Sequence, residues 1–216
     1  GDLARMSRHI AHAARGGAAG AGEPPRPGFP DPSEDEVQMV KRQLGRTPLG
    51  TWTVHTSCPG GHPQTLRVHP ILTSKKGQRT PFPTHFWLCC PHYVKWVSRL
   101  EASGYITKIN DMLMENQTMA DAFLKNIASY QSMREDCMSA EDLEYLQQNP
   151  SMRMRFSDGG IGGSANHTRI RCIHENMAHY LATGDNVVGE YIASLGIIPE
   201  CTWCAGAEQK PDSSNA

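Results

Sequence analysis

Arg169-Ile170-Arg171-Cys172-Ile173-His174-Glu175-Asn176-Met177-Ala178-His179-Tyr180-Leu181-Ala182-Thr183-Gly184 is the stretch from which the rest of the chain can be read. Its apolar spacing is helical, and Gly184 suits the left-handed cap that ends a helix. Cys172 falls near the helix start, where the positive end of the dipole favours a thiolate. His174 can share an ion with Cys172 only if the helix begins there. His179 lies seven residues beyond Cys172, about 10.5 Å along a helix axis. That exceeds what two ligands of one zinc can span at about 2.0–2.3 Å each. His179 therefore reads as a core histidine, or one standing behind the ligands.

Working outward, three more cysteine-bearing segments ask for partners: Cys58-Pro59-Gly60-Gly61-His62, Cys89-Cys90-Pro91-His92 and Cys201-Thr202-Trp203-Cys204. Cys58 ends a strand at a Gly-rich turn whose exposed amides stabilise a thiolate. Cys90 precedes Pro91, a residue at home in the first turn of a helix. We expect Cys58, Cys90 and Cys172 to converge on a metal ion, with zinc preferred and an iron–sulfur cluster the alternative. His174 is the first choice of fourth ligand, with Cys201 and Cys204 as alternatives. His62 is a further candidate, and His92 is one too or stands behind the ligands with His179. The plain alternative is a set of buried, inert thiols. Cys201-x-x-Cys204 is half of a zinc knuckle or a redox pair, and it either closes the main site or forms a disulfide.

The fold expected around these segments is α+β. Ser33 and Glu36 form a capping box for a helix with Val37, Val40 and Leu44 inside and Gly45 at its end. Alternation over Trp52 to Cys58, Gln64 to Leu72 and Thr84 to Cys89 predicts an antiparallel meander of about three strands. Helices follow from Pro91 to Gly104 and through Ile106 to Leu113. Another starts at Thr118, and a short one, capped by Ser139 with Leu143 and Leu146 inside, stops at Pro150. Residues 157–168 are glycine-rich but match neither a P-loop nor a dinucleotide fingerprint, so they read as a connector. Val187 to Leu195 forms a last helix before Gly196.

Composition sets the limits. Net charge is -1, which gives no global case for nucleic acid or an anionic membrane. Lys75, Lys76 and Arg79 make a local basic patch without interleaved aromatics, so there is no clear nucleic-acid signal. No apolar run reaches the ~18 residues of a membrane span. Seven cysteines, an odd number, fit a reducing intracellular compartment better than a secreted disulfide framework. Residues 1–32 read as an extended, disordered arm, basic and rich in Pro, Gly and Ala. It begins at Gly1 rather than methionine, which fits a processed chain and the remnant of a plastid or mitochondrial transit peptide. Residues 33–196 form the single domain, and 197–216 a cysteine-containing tail.

Further motifs carry a resemblance. Thr80-Pro81-Phe82-Pro83-Thr84, then Leu88-Cys89-Cys90-Pro91 and Ser98-Arg99-Leu100-Glu101-Ala102-Ser103-Gly104, resemble the bacterial DUF501 family. So do Gln43-Leu44-Gly45-Arg46, Cys58-Pro59 and the Arg169–Gly184 stretch, over roughly residues 36–192. The resemblance implies no established activity. Its matching cysteines are Cys58, Cys90 and Cys172, while the basic arm and Cys201/Cys204 look like additions that point to a diverged, organellar relative. The reading that follows is a metal-binding protein with a structural or scaffolding role, a subunit of a larger organellar assembly whose tails wrap protein partners. The alternative is an enzyme that uses the cluster as an open metal site or a thiolate nucleophile.

Overall fold

The computed structural model describes residues 28–74 and 77–196. The arm up to residue 27, the hairpin tip at Lys75 and Lys76, and Cys201 and Cys204 lie outside the described residues. Within them the chain is mixed α+β, as expected: eight α-helices, a three-stranded antiparallel sheet and a two-stranded one.

Helix α1 (Glu34–Leu44) carries the predicted capping box, with Ser33 accepting from the Glu36 amide and Glu36 reaching back. Gly45 ends it at φ 72. Its Val40 is fully buried on the first sheet, beside Trp52, Leu66 and Val68. That sheet runs β1 (Trp52–Ser57), β2 (Pro63–Val68) and β5 (Phe86–Leu88), with β2 in the middle. The expected second strand from Gln64 to Leu72 breaks in two. Pro70 has no amide to donate and interrupts the ladder, so β3 (Ile71–Thr73) leaves to pair with β4 (Arg79–Pro81) as a separate hairpin. Arg79 of the basic patch is committed there: it donates to Asp142 at 2.7 Å. Packing also begins before Ser33. Phe29 is buried against the guanidinium of Arg67 and the ring of His69.

Helices α2 (Pro91–Ala102), α3 (Tyr105–Glu115), α4 (Gln117–Asp136), α5 (Ala140–Gln148), α6 (Pro150–Ser157), α7 (Ile173–Thr183) and α8 (Val187–Ser194) follow. Asn116, not Thr118, caps α4 by accepting from the Met119 amide. Pro150 does not merely stop α5; it opens α6 at the position where a missing amide costs nothing. Leu143 is exposed rather than inside, whereas Leu146 is buried as expected. Helix α7 lies on β5 and also touches β2 and β1, and His55 of β1 meets the Ala182 carbonyl at 3.2 Å. Helix α8 packs on α7 so closely that a Cβ on Gly189 would lie 2.2 Å from the Tyr180 Cβ. The main core joins β5 and most of the helices through Phe86, Trp96, Phe123, Tyr130, Ile173 and Met177.

One buried cation ties the layers together. Arg134 of α4 is fully enclosed and donates to the carbonyls of Pro83, Phe156, Gly159 and Gly160. It thereby joins the loop after β4, the end of α6 and the loop into the 3-10 turn Ile161–Gly163, where the Gly160 carbonyl also accepts from the Gly163 amide. Replacing it removes the side-chain donor from the Pro83, Phe156 and Gly159 carbonyls in a dry interior, at roughly 1–3 kcal/mol each. Arg134→Met should therefore cost roughly 3–5 kcal/mol in urea unfolding. Exposed Arg99→Met should stay within about 0.5 kcal/mol. Equal midpoints for the two variants would remove Arg134 from this role.

Candidate metal centre

Three potential ligand atoms meet where the end of α2 touches the start of α7. Glu101, Cys172 and His174 each offer one, all within 4.8 Å of one another, the only such set of three among the described residues. Cys172 Sγ lies 3.7 Å from His174 Nδ1, and that nitrogen lies 3.2 Å from Glu101 Oε1. Cys172 is the N-cap of α7 but makes no cap bond with its side chain. Glu101 replaces it, accepting from the Ile173 amide at 2.6 Å. That carboxylate also places negative charge at the positive end of the helix.

The other face of the imidazole is held. His174 Nε2 lies 3.2 Å from the Val94 carbonyl and from Ser98 Oγ, whose own hydroxyl donates to Val94. A carbonyl only accepts, so Nε2 donates there, and Nδ1 faces Glu101 and Cys172, where a proton or a metal ion can lie between it and the carboxylate. This is the arrangement that orients metal-bound histidines. Glu101 and His174 are 23% and 25% exposed, so solvent reaches the group. Burial pushes the Cys172 thiol up to about 12, and the Glu175 and Glu101 carboxylates add to the effect although the Glu175 amide opposes it. A metal-free thiolate nucleophile is thereby disfavoured. A cavity of about 10 Å³ walled by Phe123, Ile127, Ile161, Arg171, Glu175 and Asn176 has room for a single water, and none of the three ligand residues lines it.

The predicted residues are thus distributed unevenly. Cys172 and His174 come together. Cys90 is the N-cap of α2, eleven residues from Glu101 and about 16 Å along the helix axis. Helix α2 therefore separates it from the Cys172 set. Cys58 sits at the far end of β1, its Sγ 3.8 Å from His62 Nδ1. His92 is half-buried in the first turn of α2. Cys201 and Cys204 lie outside the described residues. Glu101 is not among the ligands the sequence points to. The available signal was electrostatic: an acidic residue in the last turn of α2 faces the negative end of its dipole, which makes it a poor choice for the helix alone.

His179 is wholly buried, stacked on Phe86 and edge-on to Tyr130 at 5.1 Å. The Asn186 amide lies 3.1 Å from its Nδ1. That makes it a core histidine, away from the three ligand atoms.

The structure thus defines a compact α+β domain bearing a Glu/Cys/His group able to hold a metal ion. A family model described as "Protein of unknown function (DUF501)" matches residues 54–194, and the chain belongs to that family. No curated protein and no solved structure matches it. No helix among the described residues is long and apolar enough to cross a membrane.

The buried histidines make the stability pH-dependent. Burial lowers His179 to about 4, and burial with the nearby Arg67 charge lowers His85 to about 3. Both are neutral when folded at neutral pH, and an unfolded histidine gains its proton near pH 6.5. Above that value neither contributes. Below it the unfolded state binds more protons, so stability falls as pH drops from about 6.5 toward 4. The pair can contribute up to about 2.7 kcal/mol per pH unit. Urea unfolding at pH 7.5, 6.5, 5.5 and 4.5 should show the break, and a flat profile down to 4.5 would contradict buried neutral rings.

Proposed function

We propose that the protein binds one zinc ion through Glu101, Cys172 and His174, and that this ion has a structural role. The supporting observation is the meeting of three potential ligand atoms around an imidazole held in place by Val94 and Ser98. A sulfur, a ring nitrogen and a carboxylate oxygen that face one another need positive charge between them. The candidates are a proton or a metal ion. Zinc accepts a mixed S, N and O shell, whereas iron–sulfur clusters call for several thiolates. A bound ion would tie the end of α2 to the start of α7, on which the core is assembled. A scaffolding subunit with protein partners is the role this reading favours.

One observation supports a second reading, an enzyme with an open metal position. Three protein ligands and partial exposure are the pattern of catalytic zinc, in which solvent takes the fourth place. The raised Cys172 thiol makes this the form of enzyme worth testing.

The test is metal content and stability of the full chain. Cys172→Ser with His174→Ala should lose one zinc per chain and lower the melting temperature relative to the zinc-loaded protein. Cobalt substitution should give a visible spectrum and a weak thiolate charge-transfer band that this double variant lacks. Unchanged zinc content would mean that a proton occupies the group. Lost zinc with unchanged melting, together with an anion-sensitive cobalt spectrum, would favour the open catalytic position.

A further inference from the structure

We infer that residues 28–32 form an acid-released strap, latched where Arg67 donates to an unprotonated nitrogen of His85 while its guanidinium holds Gly28 and Phe29.

The strap leads into α1 and has one side-chain anchor. Phe29 is the only buried residue between Gly28 and Pro32, at 1% exposure. Its ring lies 4.7 Å from the Arg67 guanidinium and meets His69 and His85 edge-on, at 5.4 and 6.4 Å. Arg67 Nη1 also donates to the Gly28 carbonyl at 3.2 Å. Gly28 turns there at φ 81, a conformation that an L side chain rarely adopts. One arginine thus holds the strap by a carbonyl and by a ring.

The other side of that guanidinium meets the latch. Arg67 Nε donates to His85 Nε2 at 3.3 Å, and an arginine only donates. His85 Nδ1 lies 3.1 Å from the Val68 carbonyl, which only accepts. Both ends of the imidazole are therefore assigned: Nδ1 carries the proton, and Nε2 offers its lone pair to Arg67. A proton on Nε2 removes that acceptor and sets two cations 3.3 Å apart.

The neighbours reinforce the conflict. Arg67 of β2, His55 of β1 and Arg134 of α4 are the charged groups that act on His85, and each opposes a proton. Tyr130 of α4 accepts from the His85 amide at 2.6 Å, and burial pushes its phenol up to about 12, so it stays neutral. Cys137, which also bonds Arg67, stays a neutral thiol because burial pushes it up to about 11. His69 has the opposite sense: it pairs with Asp142 at 3.4 Å, so a proton there strengthens a contact.

Burial and the Arg67 charge hold the closed His85 at about 3, whereas a ring freed to water gains its proton near pH 6.5. Above 6.5 the closed strap is unaffected. Between about 6.5 and 3 each unit of acid raises the open-to-closed ratio by up to about tenfold, because opening takes up one proton. Release of Phe29 uncovers the His85 ring and lets Arg67 turn to solvent. That exposes far less apolar surface than loss of the core, so strap release comes before unfolding.

The test places 4-fluorophenylalanine at position 29 of the full chain and follows its fluorine resonance and the circular dichroism from pH 7.5 to 4.5. The buried line at pH 7.5 should give way to an exposed one below pH 6.5 while the circular dichroism holds. His85→Gln, whose amide oxygen can still accept from Arg67, should keep the buried line throughout. That variant leaves Glu101, His174 and His179 free to titrate, so it isolates the latch. Ring-nitrogen shifts of the wild-type chain serve if His85→Gln does not fold. His85 should be neutral and protonated on Nδ1 at pH 7.5, and its conversion to imidazolium should track the fluorine change. A line that stays buried to pH 4.5, exposure that comes only with loss of circular dichroism, or a ring protonated on Nε2 at pH 7.5 would overturn the latch. So would a His85→Gln chain that opens with the wild-type profile.

Discussion

The Glu101 carboxylate is the constraint on which the arrangement of α2 and α7 depends. Helix α7 starts at a cysteine that makes no side-chain cap bond, so its first turn needs an acceptor from elsewhere. Glu101 provides one across seventy-two residues of chain at 2.6 Å. The same contact fixes the registry of the two helices. It brings His174 onto the Val94 carbonyl and leaves the imidazole facing a carboxylate and a thiol. The cap and the candidate centre are therefore one construction. A cation would neutralise charge that the fold has already gathered, so its affinity and the packing of α7 on the sheet would rise together.

Features set by neighbours in sequence were legible; those set by topology were not. The Ser33 and Ser139 caps, the Gly45 and Gly184 terminators and the Pro91 start are written within a few residues of where they act. The pairing of Cys172 with His174 was legible for the same reason. The convergence of Cys90 with Cys172 was inferred from both lying at helix starts. That inference omitted the direction in which α2 runs. The start of α7 lies along α2 from Val94 to Glu101, with the Ile173 amide on the Glu101 carboxylate and His174 on Val94 and Ser98. Likewise Pro150 was read as a stop when the same missing amide also permits a start. The strand through His69 and Pro70 was read as continuous because the apolar alternation survives an interruption of hydrogen bonding.

Burial separates the uses of polar side chains here. Arg134 and His179 are as enclosed as any leucine, and each is explained by what it satisfies or stacks on inside the core. Cys89 and Cys137 belong with them as packing and hydrogen-bonding groups. Glu101 and His174 retain exposure, which costs a structural ion little and gives an exchanging one a route. Partial exposure thus marks where chemistry with solvent can occur, and full burial marks where it is excluded.

Cys90 and Cys172 show why position in the chain does not decide the role of a thiol. Both are N-caps without a side-chain cap bond, and both sit where a helix dipole favours a thiolate. At Cys172 the dipole is already answered by Glu101, and burial beside two carboxylates keeps the sulfur protonated unless a metal replaces the proton. At Cys90 the residue brought near is Gln64 of the middle strand, whose carbonyl accepts from the Cys90 amide. The first thiol lies in a mixed group of donors with charge already present, and the second lies beside the middle strand of the sheet. One centre shared by Cys90 and Cys172 would have to span the turns of α2 between its N-cap and Glu101, the residue that seats the start of α7.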